Sequence, residues 1–275
     1  MSRAFVIAAA LLAAPTPAES QPAARLGYAD LADLGLSAPI AAEIRIAGAA
    51  EVGRDQSAGL KPGLTRFFVE ADLVSLIRSP EPLAERISYV VDLPPDARGK
   101  PARPKKGAGY LLFAIPAPGH PGAVQLAAPD AQVPVEPGDA ERLRTILRDA
   151  GAAGAPPVIT GIGRAFHVPG SLPGESETQV FLTTADGRPV SLSILRRPNE
   201  APRWAVALSE IVDDSAAPPA RDTLLWYRLA CALPPALPVA TLADAPSPED
   251  AAAIRDDYRL VIESLGQCGR TRSVR

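Results

Sequence analysis

The sequence contains few of the side chains that most often carry catalysis or bind metals. Its 275 residues include two histidines, two cysteines and one methionine, and aromatic residues make up only 5%. His120 and His167 are far in sequence from Cys231 and Cys268, without the close ligand spacing of zinc sites. The cysteines also lack the C-x-x-C spacing of redox pairs. We therefore expect no metal site and no cofactor.

A nucleophile motif is missing as well. The serine hydrolase elbow is G-x-S-x-G between a strand and a helix. Ser171 and Ser176 instead fall in the segment 165–182, AFHVPGSLPGESETQVFL, between two predicted strands. We interpret the loop 169–177 as a wide connection, and His167 and His120 as structural or exposed residues. The sequence predicts a protein that is not an enzyme.

An overall basic charge and long apolar runs are absent too. The formal net charge is −3, which argues against a nucleic-acid partner. Beyond the N-terminus, no uninterrupted apolar run approaches the roughly 18 residues that a transmembrane helix requires. The mature chain is therefore expected to lack a transmembrane segment. At 47% hydrophobic residues, it can still bury a sizeable core.

The N-terminus, MSRAFVIAAALLAAPTPAES, has the layout of a secretory signal peptide. Arg3 supplies the positive charge, and the apolar run 4–14 is followed by Pro15 and by small residues that suit cleavage before Gln21 or Glu19. The alternative is an N-terminal core helix. We predict that residues 1–20 are removed and that the protein is periplasmic or secreted. Arginine outnumbers lysine and Asn199 is the only asparagine, a coding bias that favours a bacterial source.

Cys231 and Cys268 are predicted to form a disulfide, because an exported protein matures in an oxidising compartment. Each lies near the C-terminal end of a helical pattern, at 221–235 and 247–268. In the second pattern, Ser247 is the predicted N-cap, Pro248 the first helical residue and Gly266 the predicted C-cap. The two Cα atoms must come within about 7 Å of each other. These helix ends should therefore meet, which excludes a simple antiparallel hairpin. We expect one face of the preceding sheet to carry large residues and the other to consist of Gly and Ala, and the helix ends to meet over the small-residue face.

The region 21–150 reads as a small β-domain that ends in a helix. Alternating apolar residues or short apolar runs, separated by Gly/Pro turns, predict five strands; they cover 39–47, 64–77, 85–93, 109–116 and 122–127. The second strand is long and must bend, as in a small barrel. The pattern in 137–154 predicts a helix.

The region 156–275 reads as a second unit, after a Gly/Ala/Pro stretch at 151–157. Four further strands are predicted; they cover 158–168, 178–184, 189–197 and 203–211. Asp186 and Gly187 mark a hairpin. The predicted fold class is α+β and predominantly β: an N-terminal small barrel or sandwich, OB-like in shape, then an antiparallel four-stranded sheet covered by the C-terminal helices.

One charge cluster stands out between the third and fourth strands. RGKPARPKKG contains five cations and no acid; they are Arg98, Lys100, Arg103, Lys105 and Lys106. A charge run of this kind is commonly a solvated loop. It is also the best candidate in the chain for binding an anionic partner, such as an envelope component or an acidic protein.

The residues thus favour an exported, non-catalytic envelope protein that acts as a binding or assembly module. Two alternatives stay open. One is a periplasmic hydrolase whose site combines distant residues, such as His167 with a remote serine and aspartate. The other is a carrier that holds a small apolar ligand inside the N-terminal barrel.

Overall fold

The computed structural model describes residues 26–120, 122–209 and 217–272. The predicted signal peptide, residues 1–20, lies outside the described residues. The predicted α+β, predominantly β architecture is confirmed: the described residues form two antiparallel sheets and four α-helices.

The first sheet has six strands. They are β1 (Ile40–Glu51), β2 (Thr65–Arg78), β3 (Arg86–Leu93), β4 (Gly109–Pro116), β5 (Val124–Leu126) and β6 (Gln132–Pro134). Their order is β3-β2-β1-β4-β5, and β6 pairs with β4. The β1–β2 pairing shifts register at three places, between Ala41 and Gly48. Such irregularities bend long strands and increase their twist, so the sheet curls.

The curled sheet is not a closed barrel. Its edges, β3 and β5, meet through one isolated parallel bridge between Ser88 and Ala123, where the Ser88 N–H donates to the Gly122 carbonyl at 2.9 Å. The arrangement is a partly open, OB-like barrel, as the strand pattern suggested, but without a continuous hydrogen-bonded wall. Side chains fill its interior; the largest are Ile40, Ile44, Ile46, Phe67, Val69, Ile87, Tyr89, Val91 and Leu112.

The second sheet is the predicted four-stranded meander. It consists of β7 (Ile159–Pro169), β8 (Ser176–Thr184), β9 (Val190–Arg196) and β10 (Arg203–Ala207), in the order β10-β9-β8-β7. The β7–β8 register shifts between Ile159 and Gly161 and again between Ile162 and Ala165. Successive side chains of β7 therefore do not alternate strictly between the two faces of the sheet.

The helices are α1 (Tyr28–Ser37), α2 (Asp139–Gly151), α3 (Leu224–Ala230) and α4 (Pro248–Leu265). The α4 boundaries follow the predicted signals: the Ser247 hydroxyl accepts the Asp250 N–H at 3.0 Å, Pro248 begins the helix, and Gly266 ends it with φ of 69°. The sequence reading did not predict α1. Its N-cap is Gly27, with no side-chain hydrogen bond, so it carries no capping signal.

The disulfide between Cys231 and Cys268 is confirmed, with Cα atoms 4.9 Å apart. It joins the C-terminal ends of α3 and α4, as predicted. A second link lies beside it, because the Trp226 indole N–H donates to the Leu265 carbonyl at 2.9 Å.

The expected division of the second sheet into a large-residue and a small-residue face is wrong. Across the sheet, Ala165 aligns with Val180, Leu192 and Val206, and all four are buried in one core with α3 and α4. The helices thus cover a face whose side chains are small on β7 and large on the other three strands. The register between strands, which the sequence does not display, decides this.

One hydrophobic core spans both halves of the chain. It contains residues from α1, α2 and β4 together with residues from the second sheet, α3 and α4. The domain boundary between residues 150 and 156 remains a prediction. Residues on both sides of it contribute to the same core.

Candidate functional site

The five clustered cations lie on an ordered loop, residues 94–108, which joins β3 to β4 and is called the basic loop here. At its tip the Asp96 carboxylate accepts the N–H groups of Arg98 and Lys100, both at 2.9 Å. The Asp96 N–H donates to the Lys100 carbonyl at 2.7 Å, and Gly99 supplies the positive φ of 74° that the tight turn requires. Backbone bonds thus fix where the cations are presented.

The base of the basic loop is anchored to the first sheet. The Gly107 N–H donates to the Ile46 carbonyl at 2.8 Å, and the Ile46 N–H donates to Ala108 at 2.9 Å. Pro104 is buried in the middle of the loop. A loop held at both its tip and its base loses little further backbone freedom on binding, which favours recognition.

All five predicted cations are exposed; these are Arg98, Lys100, Arg103, Lys105 and Lys106. Among the described residues, none of them forms an ion pair, although arginines elsewhere pair with acids on both sheets and on the helices. The loop contains one acid, Asp96, which accepts backbone N–H groups and forms no ion pair with these cations, so positive charge remains in excess. The loop is therefore a concentrated positive surface on a protein of net charge −3.

The other loop at this end of the sheet, residues 52–64, joins β1 to β2. Both loops leave the same end, because Thr65 pairs with Leu93 and Arg45 pairs with Gly109. The chain has only four lysines: three are in the basic loop, and the fourth, Lys61, is in the β1–β2 loop. All of the lysines in the protein thus lie at one end of the first sheet.

A cleft of about 1030 Å³ opens beside the β1–β2 loop and is called the terminal cleft here. Its walls are α1, the β1–β2 loop, the segment 127–130 after β5, and the C-terminal residues 271–272. A smaller groove of about 640 Å³ continues from it between the edges of β3 and β5. The two share Asp92 and residues 127–129. The sequence reading did not find this cleft, because it joins segments more than 200 residues apart.

Each acidic side chain that lines the terminal cleft is paired with an arginine. Asp92 accepts two bonds from Arg66, at 2.7 and 2.8 Å. Asp130 accepts two from Arg272, which holds the pKa of this carboxyl below its usual value. The third acid, Asp33, pairs with Arg270.

Asp33, on α1, joins the helix to the C-terminal segment. It accepts two bonds from Arg270, at 2.5 and 2.9 Å, and one from the Tyr227 hydroxyl at 2.6 Å. Burial, with this hydrogen bond to Asp33, raises the pKa of Tyr227 to about 12. The tyrosine therefore stays a neutral hydrogen-bond donor at physiological pH.

Asp30 holds the same C-terminal segment from the buried side of α1. Its carboxylate is fully buried and accepts the N–H groups of Thr271 and Arg272, both at 3.0 Å, and the Thr271 hydroxyl. Three hydrogen bonds compensate the burial of this charge. One wall of the terminal cleft is thus formed by residues 271–272, a segment held by the acids of α1 and by the disulfide at Cys268.

His167 belongs to a buried polar chain that sequence reasoning did not find. Its Nδ1 lies 2.8 Å from the Thr178 hydroxyl, which donates to the buried carboxylate of Asp257 on α4. Arg196 completes the chain with an ion pair to Asp257 at 2.6 Å. Since the Thr178 hydrogen points to Asp257, the His167 Nδ1 must carry the proton that Thr178 accepts.

This arrangement orients a histidine but supplies no nucleophile among the described residues. Thr178 is the only side chain hydrogen-bonded to His167 there, and it is fully buried. Ser171 instead donates to Glu175, and His120 is an exposed turn residue. No group of three or more His, Cys, Asp or Glu side chains in the described part of the chain could hold a metal ion.

Comparison with known proteins gives no family assignment: no protein-family model matches the chain, and no curated protein matches it significantly. None of the described helices is both long and apolar enough to cross a membrane. The two surfaces of the described residues that could bind a partner or ligand are the basic loop and the terminal cleft.

Proposed function

We propose that this protein is an exported, non-catalytic binding module of the cell envelope, which attaches to an anionic envelope component through its basic loop. The observation that carries the proposal is the set of five exposed cations without acidic partners, on a loop fixed by backbone hydrogen bonds. The disulfide is consistent with export, since such bonds persist in oxidising compartments.

We infer that the basic loop binds its anionic partner electrostatically. The loop contains no aromatic side chain between residues 94 and 108, so it offers neither a stacking platform for bases nor an anchor for an apolar partner. Arginine and lysine side chains near an anionic membrane surface contribute about 1 kcal/mol each. Five together would support reversible attachment without any insertion into the membrane.

Charge reversal of Lys105 and Lys106 tests this proposal. Vesicles of phosphatidylcholine mixed with phosphatidylglycerol should bind the native protein, and vesicles of phosphatidylcholine alone should not. The double substitution Lys105→Glu and Lys106→Glu should weaken binding about tenfold or more, because two attractions become repulsions. Co-sedimentation measures the bound fraction, and soluble polyglutamate serves as a second, non-lipid polyanion.

The matched control is the double substitution Arg197→Glu and Arg255→Glu. Both arginines are exposed, neither is ion-paired among the described residues, and the change in net charge is the same. It should leave vesicle binding within about twofold of the native protein, since distant surface charges are screened beyond about 10 Å. Equal losses in the two variants would contradict a specific role for the basic loop.

A further inference from the structure

The terminal cleft has a composition that selects a particular kind of ligand. Its volume of about 1030 Å³ suits a small molecule. Apolar side chains line much of it, namely Leu34, Leu36, Leu64, Ala127, Ala128 and Pro129. Side chains fill the interior of the curled first sheet, whereas the terminal cleft is open to a ligand.

Among the charged side chains that line the cleft, only one cation has no acidic partner. Its three acids are each held by an arginine, Asp33 by Arg270, Asp92 by Arg66 and Asp130 by Arg272. Lys61, also in the lining, is exposed and forms no ion pair among the described residues. A ligand in the cleft therefore meets apolar walls, neutralised acid–arginine pairs and a single unpaired ammonium group.

We propose that the terminal cleft binds an amphiphile with an apolar chain and one anionic head group, the head group paired with Lys61. The chain would lie along the leucine, alanine and proline side chains and could extend into the smaller groove between β3 and β5, where Val90 and Leu126 add apolar surface. A cationic head group finds no free acid in the cleft, because each acid is already bonded to an arginine.

This site is separate from the basic loop. Lys61 belongs to the β1–β2 loop, and the cleft lining contains none of the five cations of the basic loop. A soluble amphiphile can therefore bind without an envelope surface, and either proposal can fail while the other holds.

The test measures binding of dodecanoate, dodecanol and dodecyltrimethylammonium below their micelle-forming concentrations, by displacement of a fluorescent fatty-acid probe. The native protein should bind dodecanoate saturably and at least about tenfold tighter than either other amphiphile, the equivalent of one good charge-assisted contact. Lysophosphatidylglycerol in the same assay distinguishes a ligand with a lipid phosphate head group from one with a free carboxylate. Tighter binding of this phospholipid points to a membrane lipid, and tighter binding of dodecanoate points to a free carboxylic acid.

Lys61→Glu should remove the preference for dodecanoate while leaving dodecanol binding within about twofold, since a neutral head group gains nothing from the ammonium. Arg54→Glu is the matched control, because Arg54 is exposed, lies in the same β1–β2 loop and carries the same charge, but does not line the cleft. Ala127→Trp should reduce binding of dodecanoate and dodecanol alike, because its indole would occupy the shared lining of the cleft and the groove.

Two results would overturn the proposal. One is the lack of saturable dodecanoate binding by folded native protein. The other is an equal loss of dodecanoate binding in the Lys61 and Arg54 variants, which would indicate a general charge effect. Loss of vesicle binding on substitution of Lys105 and Lys106, with dodecanoate binding unchanged, would support both sites as independent.

Discussion

Asp257 shows how one buried charge can fix the position of a helix. It is fully buried on α4, and its two oxygens accept bonds from Thr178 on β8 and Arg196 on β9. A carboxylate is costly to bury unless it is paired and hydrogen-bonded. These directional bonds favour one position of α4 on the second sheet, whereas apolar contacts alone would tolerate small shifts of the helix along the sheet.

Removing this carboxylate should destabilise the protein far more than removing its sequence neighbour. Asp257→Ala leaves the fully buried Thr178 hydroxyl without its acceptor and the partly exposed Arg196 without its ion-pair partner, and is expected to lower the free energy of unfolding by about 2 kcal/mol. Asp256→Ala is the control, because Asp256 forms only an exposed ion pair with Arg259 and should cost less than about 1 kcal/mol. Urea unfolding of both variants measures the difference, and equal midpoints would show that the buried chain contributes little.

At the scale of elements, the C-terminal helices are held where their chain ends meet. The disulfide, the Trp226 bond to Leu265 and the three bonds to Asp30 all lie within the last turn of α4 or just after it. These contacts tie α3, α4 and α1 together. The C-terminal wall of the terminal cleft depends on the same contacts.

Loss of the disulfide should therefore be costly but should not unfold the protein. Closing a loop of 37 residues stabilises the native state by about 4 kcal/mol on the loop-entropy argument, before strain is counted. The double substitution Cys231→Ser and Cys268→Ser should lower the free energy of unfolding by about 2–4 kcal/mol. A reductant should shift the urea midpoint of the native protein in the same direction and leave that of the double variant unchanged. No shift of the native protein by reductant would contradict the expected contribution.

Local patterns predicted the elements well and their mutual placement less well. Alternation along β2 and β3 and the capping residues of α4 are local signals, and the structure confirms these elements. The helix α1 has no cap and depends on tertiary packing, so it was missed. The bulges of β7 and the alignment of Ala165 with Val180 depend on the partner strand, so the division of faces could not be read from the sequence.

The candidate sites show the same limit. The basic loop is contiguous in sequence, so its cations were identified from the sequence alone. The chain from His167 through Thr178 and Asp257 to Arg196 joins three strands and a helix, and residue spacing gives no sign of it. The terminal cleft combines α1 with the last residues described, and only folding brings them together.

At the scale of the whole molecule, charge and apolar surface are distributed unevenly. All four lysines lie at one end of the first sheet, in the basic loop and the β1–β2 loop, and the terminal cleft opens beside the latter. Because the whole chain has a net charge of −3, the residues outside the basic loop carry a net negative charge. An anionic surface would attract the lysine-bearing end and repel the remainder, so electrostatics would orient the bound protein.

The salt dependence of vesicle binding shows directly whether the basic loop is the electrostatic contact with an anionic partner. Affinity for vesicles containing phosphatidylglycerol is measured over a series of ionic strengths. The native protein and the Arg197→Glu, Arg255→Glu control should lose affinity steeply and in parallel as salt rises, because added ions screen exposed charges. The Lys105→Glu, Lys106→Glu variant should bind weakly and show a nearly flat dependence. A salt dependence in that variant as steep as in the native protein would contradict the account, because the electrostatic contact would then lie elsewhere on the molecule.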